Sequence, residues 1–236
     1  MEDITANNSA ELILALTSID ISVPPRNEGR TTEHCERWSI CRWLSTINAL
    51  KEIDFPLRVT KREKPDFQVC AGARVWGVEV TEAVPTDFAR ASALAAREIQ
   101  DALIDISRFK YGETKTLEEI RNILNQKKLT GEGWAGDSAE RDLANAVRSV
   151  TDLKTAKLRK RDFVKYPRNV LLIYDNMPLP HLNHDTVAVH CADRLADYWA
   201  EELCFDAIFL ESGETMFLVE SGGIRKLQIS DVWRDA

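Results

Sequence analysis

Several protein classes are excluded by what this chain has little of. Its five cysteines (Cys35, Cys41, Cys70, Cys191 and Cys204) are odd in number and form no CxxC pair. A disulfide scaffold is therefore out, and a zinc finger is not expected. Four of them sit among apolar residues, where a free cysteine behaves as a small hydrophobe, so a reducing, cytoplasmic setting is expected. Long apolar runs are missing too. The longest covers about five residues around Val170–Tyr174, whereas a membrane span needs about 20. The opening MEDITANNSA has no basic head and no apolar stretch, so neither a signal peptide nor a membrane partner is expected. There is no internal repeat and no low-complexity tract. Positive charge is also short: 31 Lys and Arg face 38 Asp and Glu, a net charge of −7.

What is present is ordinary globular material, 236 residues of which 44% are apolar and 29% charged. A chain of this length can bury about 70% of its unfolded surface, enough to fold without a metal or disulfide. Residues 1–30 end in VPPRNEGR, whose prolines and glycine break any helix begun around Ala10–Ile19, and they read as an N-terminal extension. Apolar residues then recur at three- and four-residue steps from Thr32 to about Lys51, predicting a helix. The period changes to two over Leu57–Lys61, Asp66–Cys70 and Val75–Ala83, which predicts three short strands in an antiparallel meander. Helices are expected from Asp87 to about Phe109, over Leu117–Gln126, from near Asp137 to about Lys160, and over Thr186–Leu203. NVLLIY at Asn169–Tyr174 suits a strand buried on both faces, Phe205–Leu210 suits another, and Met216–Glu220 with Gly223–Ile229 suits a closing hairpin. Residues 31–236 thus read as one α/β domain with a mixed sheet flanked by helices and a helical insertion at about 112–167.

The chemically informative segment is KPDFQVCAGARVWGVEVTE, Lys64–Glu82. Along its last strand Val78 and Val80 face one way, while Gly77, Glu79 and Thr81 face the other. A carboxylate inside a Val-rich strand costs several kcal/mol if buried without a partner. A divalent metal shared with Asp66 would offset that cost, since hard cations take carboxylate oxygens. An exposed strand face, or an ion pair with Arg58, Arg62 or Arg74, would do so as well.

Pro65-Asp66, a short hairpin and Glu79-Val80-Thr81 resemble the signature of the PD-(D/E)XK nuclease superfamily, the fold of many restriction endonucleases and DNA-repair nucleases. The order helix, three-strand meander, helix, further strand matches that core over residues 31–110 and 168–175. The resemblance implies a restriction-endonuclease-like fold and Mg²⁺- or Mn²⁺-dependent phosphodiester hydrolysis, on DNA in preference to RNA. It implies Asp66 and Glu79 as metal ligands, joined by Glu36 from the first helix, with Glu33 in reserve. It also exposes a departure. The family's lysine two residues after the glutamate is here Thr81, so a displaced cation is needed, with Lys64 the first choice and Lys61 or Arg97 behind it. Without one, the fold would serve binding alone, to nucleic acid or to a partner protein. A homodimer would suit double-strand cutting.

Nucleic acid demands positive charge, and residues 148–168 concentrate it: eight Lys and Arg against two acids, a net of +6. Lys154, Lys157, Arg159, Lys160 and Arg161 form the centre of this candidate phosphate-contacting face. A helix end whose cations complement its own dipole would produce the same run. Gly131–Gly136 matches GxGxxG literally, but no strand precedes it, so a loop is expected. His181, His184 and Asp185 follow two prolines in an expected loop with too few neighbouring ligands for zinc.

Overall fold

A computed structural model describes residues 2–25, 28–99 and 101–233. In chain order the elements are β1 (Ile4–Ala6), α1 (Ser9–Thr17), α2 (Thr32–Ala49), β2 (Leu57–Lys61), β3 (Phe67–Ala71), β4 (Arg74–Ala83), α3 (Thr86–Glu98), α4 (Leu117–Asn125), α5 (Ser138–Leu158), β5 (Arg168–Asp175), α6 (His184–Leu195), β6 (Ala207–Ser212), β7 (Thr215–Glu220) and β8 (Gly223–Gln228). The eight strands form one sheet in sequence order. β1 to β4 pair antiparallel, β4, β5 and β6 run parallel, and β6 to β8 return to antiparallel. Each parallel step is bridged by helix, as a crossover requires.

Alternation along the strands divides the apolar residues between two faces. One core combines Val69, Val78, Val80, Leu172 and Phe209 of the sheet with Ile40, Trp43 and Ile47 of α2 and Leu12 and Leu16 of α1. The other combines Leu171, Ile173, Ile208 and Phe217 with Leu143, Val147 and Val150 of α5 and Val187 and Cys191 of α6. The sheet is therefore covered on both sides, which explains why β5, at its centre, has five consecutive buried residues from Asn169 to Ile173. No helix among the described residues is long and apolar enough to cross a membrane.

Two expectations are corrected by tertiary packing. The first 30 residues are not an appendage: Ile4–Ala6 pairs with β2, and Ile4, Ala6, Leu12 and Leu16 are buried in the α2-side core. The helix expected to reach Phe109 stops at Glu98. Beyond it the chain folds back so that Phe109 meets Phe88 edge to face at 6.0 Å and joins Ala91, Leu94, Ile120 and Leu124 in a small separate core. Burial of that aromatic pair outweighs the helix propensity of the intervening segment. Asp87, where that helix was expected to begin, is buried. It lies in the first turn of α3, accepting from the Lys115 backbone N–H at 2.5 Å and from Arg90 at 2.7 Å.

Gly77 lies on β4 where no side chain fits. A Cβ there would approach the Tyr166 ring to 2.5 Å and the Pro65 ring to 2.9 Å. Both rings are rigid, so Gly77→Ala is expected to cost about 1–3 kcal/mol by overpacking. Chemical denaturation would check this, and an unchanged midpoint would show that Tyr166 can move aside.

Candidate carboxylate–lysine centre

The register of the meander decides where the candidate carboxylates lie. Phe67 pairs with Val78, so one step further along the antiparallel pair Asp66 stands opposite Glu79, on the same face of the sheet. β3 begins only at Phe67, which leaves the Val80 amide without a ladder partner on that side. The Asp66 side chain supplies one: its Oδ2 accepts from the Val80 N–H at 2.7 Å. Asp66 is thus fixed by the backbone of the strand that carries Glu79.

Glu79 is 3% exposed, and its burial is offset by a residue outside the meander. Lys154 of α5 donates from Nζ to Glu79 Oε1 at 2.6 Å and to the Val80 carbonyl at 2.8 Å. Lys157, one turn on, has its Nζ 4.0 Å from the same oxygen. On the other side Lys61 of β2 holds Glu36 Oε2 at 2.5 Å and lies 4.0 Å from Asp66 Oδ1. Three buried or half-buried carboxylates are thus linked to three lysines, two of them in close contact. Burial raises the Asp66 carboxyl above its ordinary range, the charge of Glu79 raises it further, and the Val80 N–H, Lys154 and Lys61 oppose the shift.

A cleft of about 400 Å³ opens beside this centre, with Glu36, Val80, Thr81 and Lys154 in its wall. Its other side carries Arg30, Cys35 and Glu82. Arg30 pairs with Glu82 and directs Nε and Nη2 to the Cys35 sulfur at 3.2 and 3.1 Å, and Asn176 donates to Glu82 at 3.3 Å. Sequence reading did not bring out Arg30, Cys35 and Glu82 as a group.

The structure gathers Asp66, Glu79, Glu36 and Thr81 at one end of β4, whereas Lys64 is placed elsewhere: its ammonium binds the exposed carboxylate of Asp162 at 2.5 Å. Arg97 pairs with its neighbour Glu98, and Glu33 is exposed. The basic run divides. Lys154 turns inward, Arg159 pairs with Glu201 and donates to the Leu203 carbonyl at 3.1 Å, and Lys157, Lys160 and Arg161 are exposed. Lys154 had a readable signal: it follows Val147 by seven residues and Val150 by four, on the stripe of α5 that faces the sheet. The structure places it on Glu79, apart from the exposed cations of the run.

Elsewhere the discounted motifs are ordinary structure. Gly131–Gly136 is loop, Gly131 donating its N–H to Asp105. Asn183 caps α6, so His184 and Asp185 begin that helix. Among the described residues no group of three or more His, Cys, Asp or Glu side chains is placed to hold a metal ion. No family model, no curated protein and no solved structure matches the chain. The fold and site together define a mixed α/β protein with a buried carboxylate–lysine centre on its central antiparallel-to-parallel strand, β4.

Proposed function

We propose that the chain is a Mg²⁺- or Mn²⁺-dependent nuclease of restriction-endonuclease-like fold that hydrolyses phosphodiester bonds of DNA. The observation that carries this reading is the convergence of Asp66, Glu79 and an ammonium, from Lys154, at one point of β4. Lys154 stands on the face where a lysine at position 81 would project, so α5 supplies the charge that Thr81 lacks.

The donor set fits the proposed ion. Asp66 and Glu79 offer hard carboxylate oxygens, and Mg²⁺ keeps several waters and takes only one or two carboxylates besides substrate phosphate. Two opposed acids therefore suffice, without a larger ligand cluster. When bound, such an ion lowers the pKa of a coordinated water and neutralises charge on the scissile phosphate. The protein's own part is positional. The Val80 amide orients Asp66, Lys154 holds Glu79 and brings positive charge to the cleft, and Lys61 ties Glu36 to the same place. Thr81 can hydrogen-bond a water in the cleft but adds no charge.

A second reading has its own observation. The lysines already neutralise Glu79 and Glu36, as they would in a degenerate nuclease fold retained for binding nucleic acid or protein. Calorimetry with Mg²⁺ and Mn²⁺ and cleavage assays on DNA and RNA separate the two. Metal binding with DNA cleavage supports the nuclease, and neither heat nor cleavage supports the binding module.

DNA contact is assigned to Lys157, Lys160 and Arg161, the exposed part of the basic run. Replacing all three with alanine is expected to weaken DNA binding and reduce the slope of log K against log salt by about 2–3, one phosphate contact contributing about 0.9. Titrations at several salt concentrations measure it, and an unchanged slope would return these residues to the role of a solvated helix end.

A further inference from the structure

A second cavity, of about 330 Å³, lies on the α2 side of the sheet, near the start of β4 and away from Glu79. That volume is at the small end of the usual range for ligand pockets, about 300–1,000 Å³. Its inner wall is aromatic: Trp43 meets Trp76 and Phe209, each at 5.7 Å and edge to face. Its rim carries four cations, Lys51, Arg74, Arg168 and Arg225, and two carboxylates, Glu52 and Glu220. Arg168 pairs with Glu220 at 2.6 Å, and Arg225 reaches both Glu52 oxygens at 2.9 and 3.2 Å. Arg74 and Arg168 also lie over the Trp76 ring, 5.0 and 5.9 Å from its centroid, so guanidinium groups border the aromatic wall.

The composition of that rim selects a ligand. A bare phosphate or sulfate would leave Glu52, Glu220 and the aromatic wall unused, and an aliphatic ligand would have no use for six charged groups. A planar heterocycle with donors and acceptors on its edge uses both signs. Carboxylates accept from ring N–H and amino groups, guanidiniums donate to ring nitrogens and carbonyls, and a guanidinium plane is a stacking surface for a base. We propose that this cavity receives the base of a nucleotide, either free or extruded from a nucleic-acid strand. The inference does not rest on the nuclease reading, because the cavity shares no residue with the carboxylate–lysine centre.

Isothermal titration calorimetry and tryptophan fluorescence on the full chain, with each 5′-mononucleotide and a dinucleotide as probes, test it. Saturable binding is expected, with a change in tryptophan emission from Trp43 and Trp76. Ribose 5-phosphate and inorganic phosphate should fail to compete. Glu220→Gln and Arg168→Met should each weaken binding by about tenfold, the loss of one charged hydrogen-bond partner. Both side chains are 37% exposed, so their replacement should leave the fold intact, and the competition arm needs no variant. A dinucleotide that binds better than the mononucleotide assigns the base to a strand, and one that binds worse assigns it to free nucleotide. Glu79→Gln should keep this binding while ending metal-dependent cleavage, which separates failure of one reading from failure of the other. No saturable binding by any probe, equal competition by ribose 5-phosphate, or unchanged affinity in both variants would overturn the proposal.

Discussion

Glu79→Gln is expected to lower metal-dependent DNA cleavage by about 10³-fold or more, because it removes a charged ligand from the proposed ion and hence the activated water. The glutamine oxygen can still accept from Lys154, so the strand and its contact with α5 should persist. Wild type should gain melting temperature when Mg²⁺ or Mn²⁺ is added, since a ligand that binds only the native state stabilises it, and the variant should not. Thr81→Lys by itself should add little, because Lys154 already occupies the charge position. Lys154→Met should cost about 10²-fold in cleavage, and adding Thr81→Lys to it should restore part of the loss. Cleavage rates of the four proteins, with melting curves in EDTA and in metal, give the answer. A Lys154→Met protein that cuts as well as wild type would remove Lys154 from the proposed centre.

Arg42→Met is expected to destabilise the fold by about 3–5 kcal/mol, the penalty for breaking a buried ion pair from one side. Arg42 is 5% exposed and Glu211 4%. Arg42 Nε donates to Glu211 Oε1 at 2.7 Å, its Nη1 to Asp231 at 2.8 Å, and the Trp38 indole N–H reaches the same Glu211 oxygen at 3.0 Å. Without the guanidinium, a carboxylate whose Oε2 has no partner would be left in an apolar layer. Arg42→Met/Glu211→Gln should recover most of the loss, because no charge then remains buried unpaired. Burial raises the Glu211 carboxyl above its ordinary value of 4.5, with Arg42 and Trp38 opposing the shift. A carboxyl raised on folding contributes stability that is fully present below its unfolded pKa and is lost as pH rises through its folded pKa. The loss in Arg42→Met should therefore be larger at neutral pH than near pH 4.5, since removing the cation leaves burial unopposed. Denaturant unfolding of the two variants and wild type at both pH values checks this. A loss equal at both would assign the cost to lost packing of the arginine stem.

The sequence by itself determined the elements whose apolar period is unambiguous. The period of two places the meander, read as Leu57–Lys61, Asp66–Cys70 and Val75–Ala83 and found within a residue of those bounds, and NVLLIY places the doubly buried β5. It also named Asp66 and Glu79 together, through the motif they resemble, and the tight turn at Gly72-Ala73 sets the register that puts them opposite each other on one face. Only the tertiary structure decided which lysine meets that pair. Lys64 is near in sequence but leaves toward Asp162, whereas Lys154, 75 residues beyond Glu79, arrives because the apolar stripe of α5 must cover the sheet. The same cause added Ile4–Ala6 to the edge of the sheet and turned the chain back after Glu98 to bury Phe109. In each case the decision lay with packing partners distant along the chain, and a local pattern of periods and caps carries no information about those.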